Sequence, residues 1–538
     1  MKFLAILAVI IPYPTLFFPA ILILVPRFAS GSEDEDEKIE IVDEDDLKKE
    51  EGLKETKSNQ CECSFQSDSR FYFVIDESNG VDIKHETSQE DINESLLRID
   101  SGFVWKGKSG KFAAKGEARL DFLVTGKEDE EGDYEMSRSE VKFQPREWFA
   151  EGRFGVFDLR FGNQFLRFSR GEVVSPGDLL SPFDLTENWR GELSLPRLPV
   201  IALRGDLKLP ESLAVTFAFV PFFTQSRYDL FGTDEALLGP GAPEEVKPFI
   251  PLLQKIVDPT ISDRVRSALM AANLPDEWGP NQSLGIRFEK TSGGLETGLT
   301  YLFTFWPIPE LIVDPGFLAA LALMETGDYA SAGMIISDVI ERGGSLIRTD
   351  YRRVHVFSLD VRTELGPVVI AFESGWMNEG IFPGIDFNRG PGAIYNVKAG
   401  IFTSLFQIQY NYEEKFFITG ELGYQKMLDP FESGATGRKG EIPPVFYFGE
   451  DTQKLDLAMV VKLSLFRDKL GFKLVGQGGI LDKSMVISTR ISYKFIDRLE
   501  PYAGFVFYEV FGERPEPDFS FASMRNSNDE VFFGIRFY

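Results

Sequence analysis

The chain has 538 residues, a hydrophobic fraction of 43%, and 50 phenylalanines against 16 tyrosines and 6 tryptophans. Middling hydrophobicity argues against a bundle of membrane helices, and the phenylalanine- and glycine-rich balance suits an all-β chain with one face on something apolar. A formal net charge of -27 argues against nucleic acid as a partner, because phosphate binding needs a basic face.

In chain order, residues 1–31 read as an export signal. Lys2 precedes an apolar stretch over 3–25, and Ala29 and Gly31 supply the small residues of a cleavage site. The stretch is longer than the usual signal core, so an uncleaved anchor is the other reading. Pro12, Pro14, Pro19 and Pro26 disfavour a spanning helix there. Residues 32–64 form an acidic linker, expected to be solvated and disordered in the periplasm. Positions 33–57 hold 13 acidic and 5 basic residues, a net -8. Cys61 and Cys63 are separated by one residue, so a strained disulfide and two free thiols both stay open.

Residues 65–538 read as one barrel. Alternation with period two marks strands near 69–76, 93–106, 111–125, 134–144, 154–168, 199–208, 211–222, 282–290, 294–305, 352–363, 368–377, 394–412, 416–427, 453–465, 470–480, 484–495, 501–511 and 528–538. The 394–412 segment changes face near 402–405, which suggests a bulge or two strands and a total of 16 to 18. Segments of about ten residues, joined alternately by tight turns and long connections, fit a transmembrane antiparallel β-barrel. The long connections at 169–198, 223–281, 306–351, 378–393, 428–452 and 512–527 then fall on one side, outside the cell. Two of them carry helical patterns, at 261–274 and 316–342, as lids over the mouth or as segments folded into the lumen.

The chain ends in VFFGIRFY. Val531, Phe533, Ile535 and Phe537 form an apolar face suited to lipid in a closing strand. Phe533, Ile535, Phe537 and the terminal Tyr538 resemble the signal read by the bacterial barrel-assembly machinery, although Tyr538 falls on the other face. "GFVWKGKS" at 102–109 matches a phosphate-binding loop pattern, yet both flanks alternate, so it reads as a hairpin turn. The two histidines, His85 and His355, belong to no metal-spacing or triad motif. No catalytic, cofactor or metal site is expected.

The polar faces carry charge. Lys115, Glu117, Arg119 and Asp121 share one face, as do Arg138, Glu140 and Lys142, then Asp158 and Arg160, then Asp360 and Arg362. So many charges cannot sit in a dry core. They are read as lumen-facing, either as pairing ladders that aid folding or as the wall of an aqueous pathway. Mixed walls within an acidic chain suggest weak cation preference.

The richest stretch lies between 159 and 223. Its pattern resembles a poorly characterised family of Gram-negative outer-membrane barrels, similar to porins and to alginate-export barrels. The residues that carry the resemblance are Gly162, Gln164, Ser175, Pro176, Asp178, Pro182, Asp184, Arg197, Leu198, Pro199, Val220, Pro221 and Phe223. The hairpin at 281–303 extends it, and Asn163 stands where the family usually has Arg. The resemblance implies a fold and an outer-membrane location, with no substrate. The chain is thus expected to be an outer-membrane channel for an unidentified small solute, embedded in lipid and performing no chemistry. A plugged barrel serving export or adhesion is the alternative, and an outer-membrane hydrolase a more distant one.

Overall fold

The computed structural model describes residues 67–82, 92–107, 110–128, 134–171, 175, 177–184, 197–227, 270–273, 281–342, 344–385, 394–413, 415–433, 452–481, 483–496, 498–511 and 529–538. The export signal, the acidic linker with its two cysteines, and His85 lie outside the described residues.

Eighteen strands form one antiparallel sheet. They are β1 (Ser67–Asp82), β2 (Ile92–Gly107), β3 (Phe112–Glu128), β4 (Tyr134–Phe154), β5 (Phe157–Gln164), β6 (Val200–Leu209), β7 (Leu213–Val220), β9 (Ser283–Ser292) and β10 (Leu295–Phe305). After them come β13 (Arg353–Leu365), β14 (Val368–Ile385), β15 (Ile394–Tyr412), β16 (Phe416–Ser433), β17 (Gln453–Leu465), β18 (Leu470–Gly479), β19 (Ser484–Tyr493), β20 (Leu499–Val510) and β21 (Glu530–Phe537). Each pairs with the next in this order, and β21 also pairs with β1, so the sheet closes into a barrel without a free edge.

One rim carries only tight turns. Several are built on positive-φ residues, such as Gly293 (φ 60°) and Gly294 (φ 83°) between β9 and β10. That geometry matches the twist of the paired strands and suits glycine at both central positions. The phosphate-loop pattern at 102–109 runs through β2 toward β3 with no helix after it, so it is a hairpin.

The faces are inverted relative to a water-soluble protein. On β13, Phe357 and Leu359 are 46% and 52% exposed, while Ser358 and Asp360 are 3% and 0% exposed. The same alternation exposes Phe288, Leu299, Phe372, Phe406, Leu457, Ile491, Phe505 and Phe533 on other strands. An apolar belt of this extent has no stable place in water and fits hydrocarbon.

β5 stops at Gln164 rather than 168, β14 runs on to Ile385 into the connection expected at 378–393, and three further local features depart from the sequence reading. β4 runs on to Phe154, well past 144, because a bulge opposite Gly116 and Ala118 absorbs Arg146 and Glu147 and shifts the phase beyond Pro145. The 394–412 segment is one strand. Its register shift lies between Lys398 and Gly400 rather than near 402–405, and Val397, Ala399, Ile401 and Leu405 all point inward. The apparent change of face arose because this stretch of inner wall is itself apolar. In the third case, the end of the 261–274 helical pattern is a strand, β8 (Met270–Asn273), and the rest of that pattern lies outside the described residues.

The second helical pattern is a hairpin of α1 (Pro315–Glu325) and α2 (Tyr329–Glu341), flanked by β11 (Glu310–Val313) and β12 (Ile347–Asp350). β12 pairs with β11 and, in parallel, with β8. The Asn396 side chain exchanges hydrogen bonds with the Leu311 backbone (2.7 and 3.0 Å), which seats this small sheet where β15 begins, at the rim of long connections. Arg352 clasps Glu310 (2.8 and 3.0 Å), and that hydrogen bonding holds its guanidinium pKa above the usual value.

Two outcomes follow. Leu359→Arg, in mid-strand on the belt, is expected to cost about 2–4 kcal/mol of folding free energy in lipid vesicles, and Leu365→Arg beside the turn about 0–1 kcal/mol; urea titration of both variants measures the gap. Removing residues 531–538 leaves β1 and β20 with unpaired edges. The shortened chain is expected to lose the compact form that resists SDS until heated, which gel mobility with and without boiling reports.

Candidate functional site: a segment folded into the barrel

β5 leaves the wall at Gln164. Gly162 has φ 142°, and a Cβ there would overlap the Trp148 carbonyl on β4, so only glycine allows this close approach. Asn163 Nδ2 donates to the Arg146 carbonyl (2.7 Å), and Gln164 Nε2 donates to the Ala202 carbonyl on β6 (2.9 Å). The chain that follows turns inward. Leu166, Phe168 and Leu180 are buried in one apolar cluster with Ala202, Val220, Leu302, Val356, Met377 and Ile401, residues drawn from β6 to β15. Gly285 on β9 leaves room for Leu180, whose Cδ1 a Cβ would approach to 2.8 Å.

The family-like residues tie this segment to itself. Asp178 Oδ1 accepts from the Phe168 and Ser169 amides, and Ser175 Oγ donates to the Gly171 carbonyl (2.9 Å). Arg197 Nη1 donates to the Asp178 and Ser181 carbonyls while its guanidinium lies over the Phe183 ring (4.6 Å). The Leu198 amide donates to the Pro182 carbonyl (2.8 Å), Asp184 bridges to Arg227, and Phe223 meets Phe305 and Tyr351.

At its tip the segment is bolted to β9, β10, β13 and β14. Ser169 Oγ and the Arg170 amide both donate to Glu373 Oε2 (2.7 and 2.9 Å). Arg170 Nε donates to Asp360 Oδ1 (3.1 Å), and its Nη2 lies 3.2 Å from Glu289 and 3.1 Å from Glu296. Arg287 grips the other side of Asp360, with Nη1 2.7 Å from Oδ2 and Nη2 donating to Oδ1 (2.9 Å). Arg287 also donates to the Phe168 carbonyl (2.8 Å) and Thr300 Oγ1 (2.9 Å). Gly298, between them on β10, has no side chain because a Cβ would overlap both Asp360 and Arg287. Two arginines and the network around them thus compensate a carboxylate that is 0% exposed.

The sequence-derived residues fall in two places. Asp360 is at the centre of this network, and Arg362 sits beside it, 2.9 Å from Glu364 and 3.7 Å from Glu296. The others form a ladder on β2 to β6. Lys115 meets Glu147 (3.0 Å) and Glu117 (2.9 Å), Arg119 meets Asp100 (2.8 Å), and Asp121 meets Arg98 (2.8 Å). Arg160 meets Glu151 (2.9 Å) and lies over Phe149, and Asp158 is 3.3 Å from Lys208. Lys142 is half-buried on the same wall, and the side chains of Arg138 and Glu140 lie outside the described residues. Phe533, Ile535 and Phe537 are exposed on the outer face, while the Tyr538 hydroxyl donates to Glu500 (2.6 Å) on the inner one. His355 shares a 2.9 Å hydrogen bond with the Tyr301 hydroxyl among Phe303 and Phe357, an outer-face aromatic group.

Arg287 and Glu373 stand in alternation on polar faces and were open to the same reading as Asp360. Arg170 lies in a loop, where no period exists to mark it. Arg287→Met is expected to cost about 3–5 kcal/mol, because it leaves Asp360 buried without its closest cation. Arg362→Met, half-exposed, is expected to cost under about 1 kcal/mol. Urea unfolding in vesicles compares the two.

No family model and no curated protein matches the chain. Solved structures similar to it include Salmonella typhi OmpF in complex with daunomycin, at 9% identity and a TM-score of 0.36, covering 87% of this chain and 97% of that one. The outer membrane channel DcaP of Acinetobacter baumannii is similar at 8% identity and a TM-score of 0.36, covering 88% and 97%. Pseudomonas aeruginosa OccK5 is similar at 9% identity and a TM-score of 0.40, covering 87% and 97%.

Proposed function

We propose that the chain is an outer-membrane channel that performs no chemistry, with a solute path running through the barrel past the segment at 165–184. The observation that carries this reading is the inversion of faces on a closed sheet, with exposed Phe357 and Leu359 outside and Asp360 inside. Closure satisfies every strand edge, as hydrocarbon demands, and charged inner walls suit a wet interior. The leader-like sequence at 1–31 supports export. The rim of tight turns, where β1 begins and β21 ends, is then periplasmic, with the acidic linker on that side and the helical hairpin outside. The ladder from Lys115 to Arg160 lines the path, and lipid and the barrel-assembly machinery are the partners. The solute is small and unidentified.

The apolar cluster under the inserted segment spans β6 to β16 and favours, as a second reading, a barrel plugged on that side and used for export or adhesion. Single-channel recording in planar bilayers separates the two. Stepwise conductance is expected. Correctly inserted, heat-modifiable protein with no conductance would overturn the channel reading in favour of the plug.

A further inference from the structure

The network around Asp360 leaves one acid uncompensated. Glu373 on β14 is directly across from Asp360 on β13, so two carboxylates face each other on the inner wall. Like charges so placed repel. Arg170 and Arg287 both go to Asp360. Glu373 is 1% exposed and has no ion-pair partner among the described residues. The charges of Asp360 and Asp178 both act on it. Its Oε2 accepts from Ser169 Oγ and the Arg170 amide, and its Oε1 has no hydrogen-bond partner. A buried carboxylate without a cation is costly.

Other buried oxygens share the same gap. Ser358 Oγ on β13 is buried and also without a partner. Across the strands it meets Gly375, which has no side chain, and Thr300, whose hydroxyl is taken by Arg287. Both oxygens converge beside Gly177 of the inserted segment. A Cβ built there would lie 3.0 Å from Ser358 Oγ, 3.4 Å from Glu373 Oε1 and 3.6 Å from the Phe168 carbonyl oxygen. That carbonyl already accepts from Arg287 and keeps a second lone pair. Asp178, the next residue, brings another carboxylate. Ser169 links it to Glu373, with its amide on Asp178 Oδ1 (2.9 Å) and its hydroxyl on Glu373 Oε2. Asp178 Oδ2 is buried without a hydrogen bond, and Arg167 and Arg197 approach it only to 3.7 and 4.0 Å. The set is one of mixed oxygens. It is not a group of three or more acidic, His or Cys ligands, of which the described residues hold none.

We infer that Glu373, Ser358, Asp178 and the Phe168 carbonyl form a site for a calcium ion, set between the inserted segment and the wall of β13 and β14. Carboxylates, a hydroxyl and a carbonyl are hard oxygen donors. Calcium accepts an irregular set of them at about 2.3–2.6 Å and completes its shell with water, whereas magnesium demands a near-ideal octahedron. A proton on Glu373 would cancel its charge, yet it would find no acceptor and would leave Ser358 and Asp178 as they are. A divalent cation satisfies all of these oxygens at once. Gly177 keeps the space open. The ion joins two donors of the segment to two of the wall, and this role does not rest on the channel reading.

The purified full chain, stripped with EDTA and moved to calcium-free buffer, is titrated with CaCl2 by calorimetry. Saturable binding is expected. Glu373→Gln should weaken it at least about tenfold, and so should Gly177→Ala, which removes no charge and only fills the gap with a methyl group. Glu341→Gln, exposed on α2, should leave it unchanged. Calcium should also raise the temperature at which SDS resistance is lost in the wild type and not in Glu373→Gln, because a ligand of the folded barrel stabilises it. Gel heat-modifiability confirms that each variant is folded. The acidic positions at 33–57 are the same in every variant, so calcium held there does not separate them. Absence of calcium binding to the folded wild type, or full binding by either Glu373→Gln or Gly177→Ala, overturns the inference. A barrel that binds calcium in this way and passes no current refutes the channel and leaves the site standing.

Discussion

The structure depends on one constraint: a strand in hydrocarbon cannot leave a backbone N–H or C=O without a partner. The pairing of β21 with β1 meets it, since it converts an open sheet with two exposed edges into a ring. Closure fixes the rest in sequence. An even number of strands returns both ends of the sheet to the same rim, and the ring has an inside and an outside. Alternation then sorts each strand, so that Leu359 and Asp360, adjacent in the chain, occupy opposite solvents.

A ring of eighteen strands encloses more space than wall side chains can fill. The inserted segment occupies part of it, and two different forces hold it. Leu166, Phe168 and Leu180 bury apolar surface against the upper wall. Below them, Asp360, Glu373, Arg170 and Arg287 fix the tip with charge-assisted hydrogen bonds. The apolar contacts give adhesion without direction, and the charged ones give position. That division explains why β15 carries an apolar inner face with Val397, Ala399 and Ile401, where it joins the cluster that holds Leu166 and Phe168.

Most of the wall was legible in the sequence, because a strand between lipid and water writes its two environments into alternate letters. The reading failed where something else met the strand. Pro145 and the bulge near Glu147 broke the phase of β4, and the buried cluster made β15 look as if it turned over. β8 was hidden inside a helical pattern because its partner, β12, is distant in sequence and local letters do not record such pairings. The site was half legible. Asp360 stood out as a charge on a strand face, whereas Arg170, which reaches it, sits in a loop where nothing repeats.

Gly298 has no atoms to contribute to the ion pair beside it, yet the pair exists by its leave. Any side chain at 298 would occupy the space shared by Asp360 and Arg287. Three positions on three strands are therefore a single unit of inheritance. A lineage that changes one must change the others, and the order matters: the charges can be withdrawn first and the space filled afterwards, but the reverse path passes through a barrel with two buried charges forced apart.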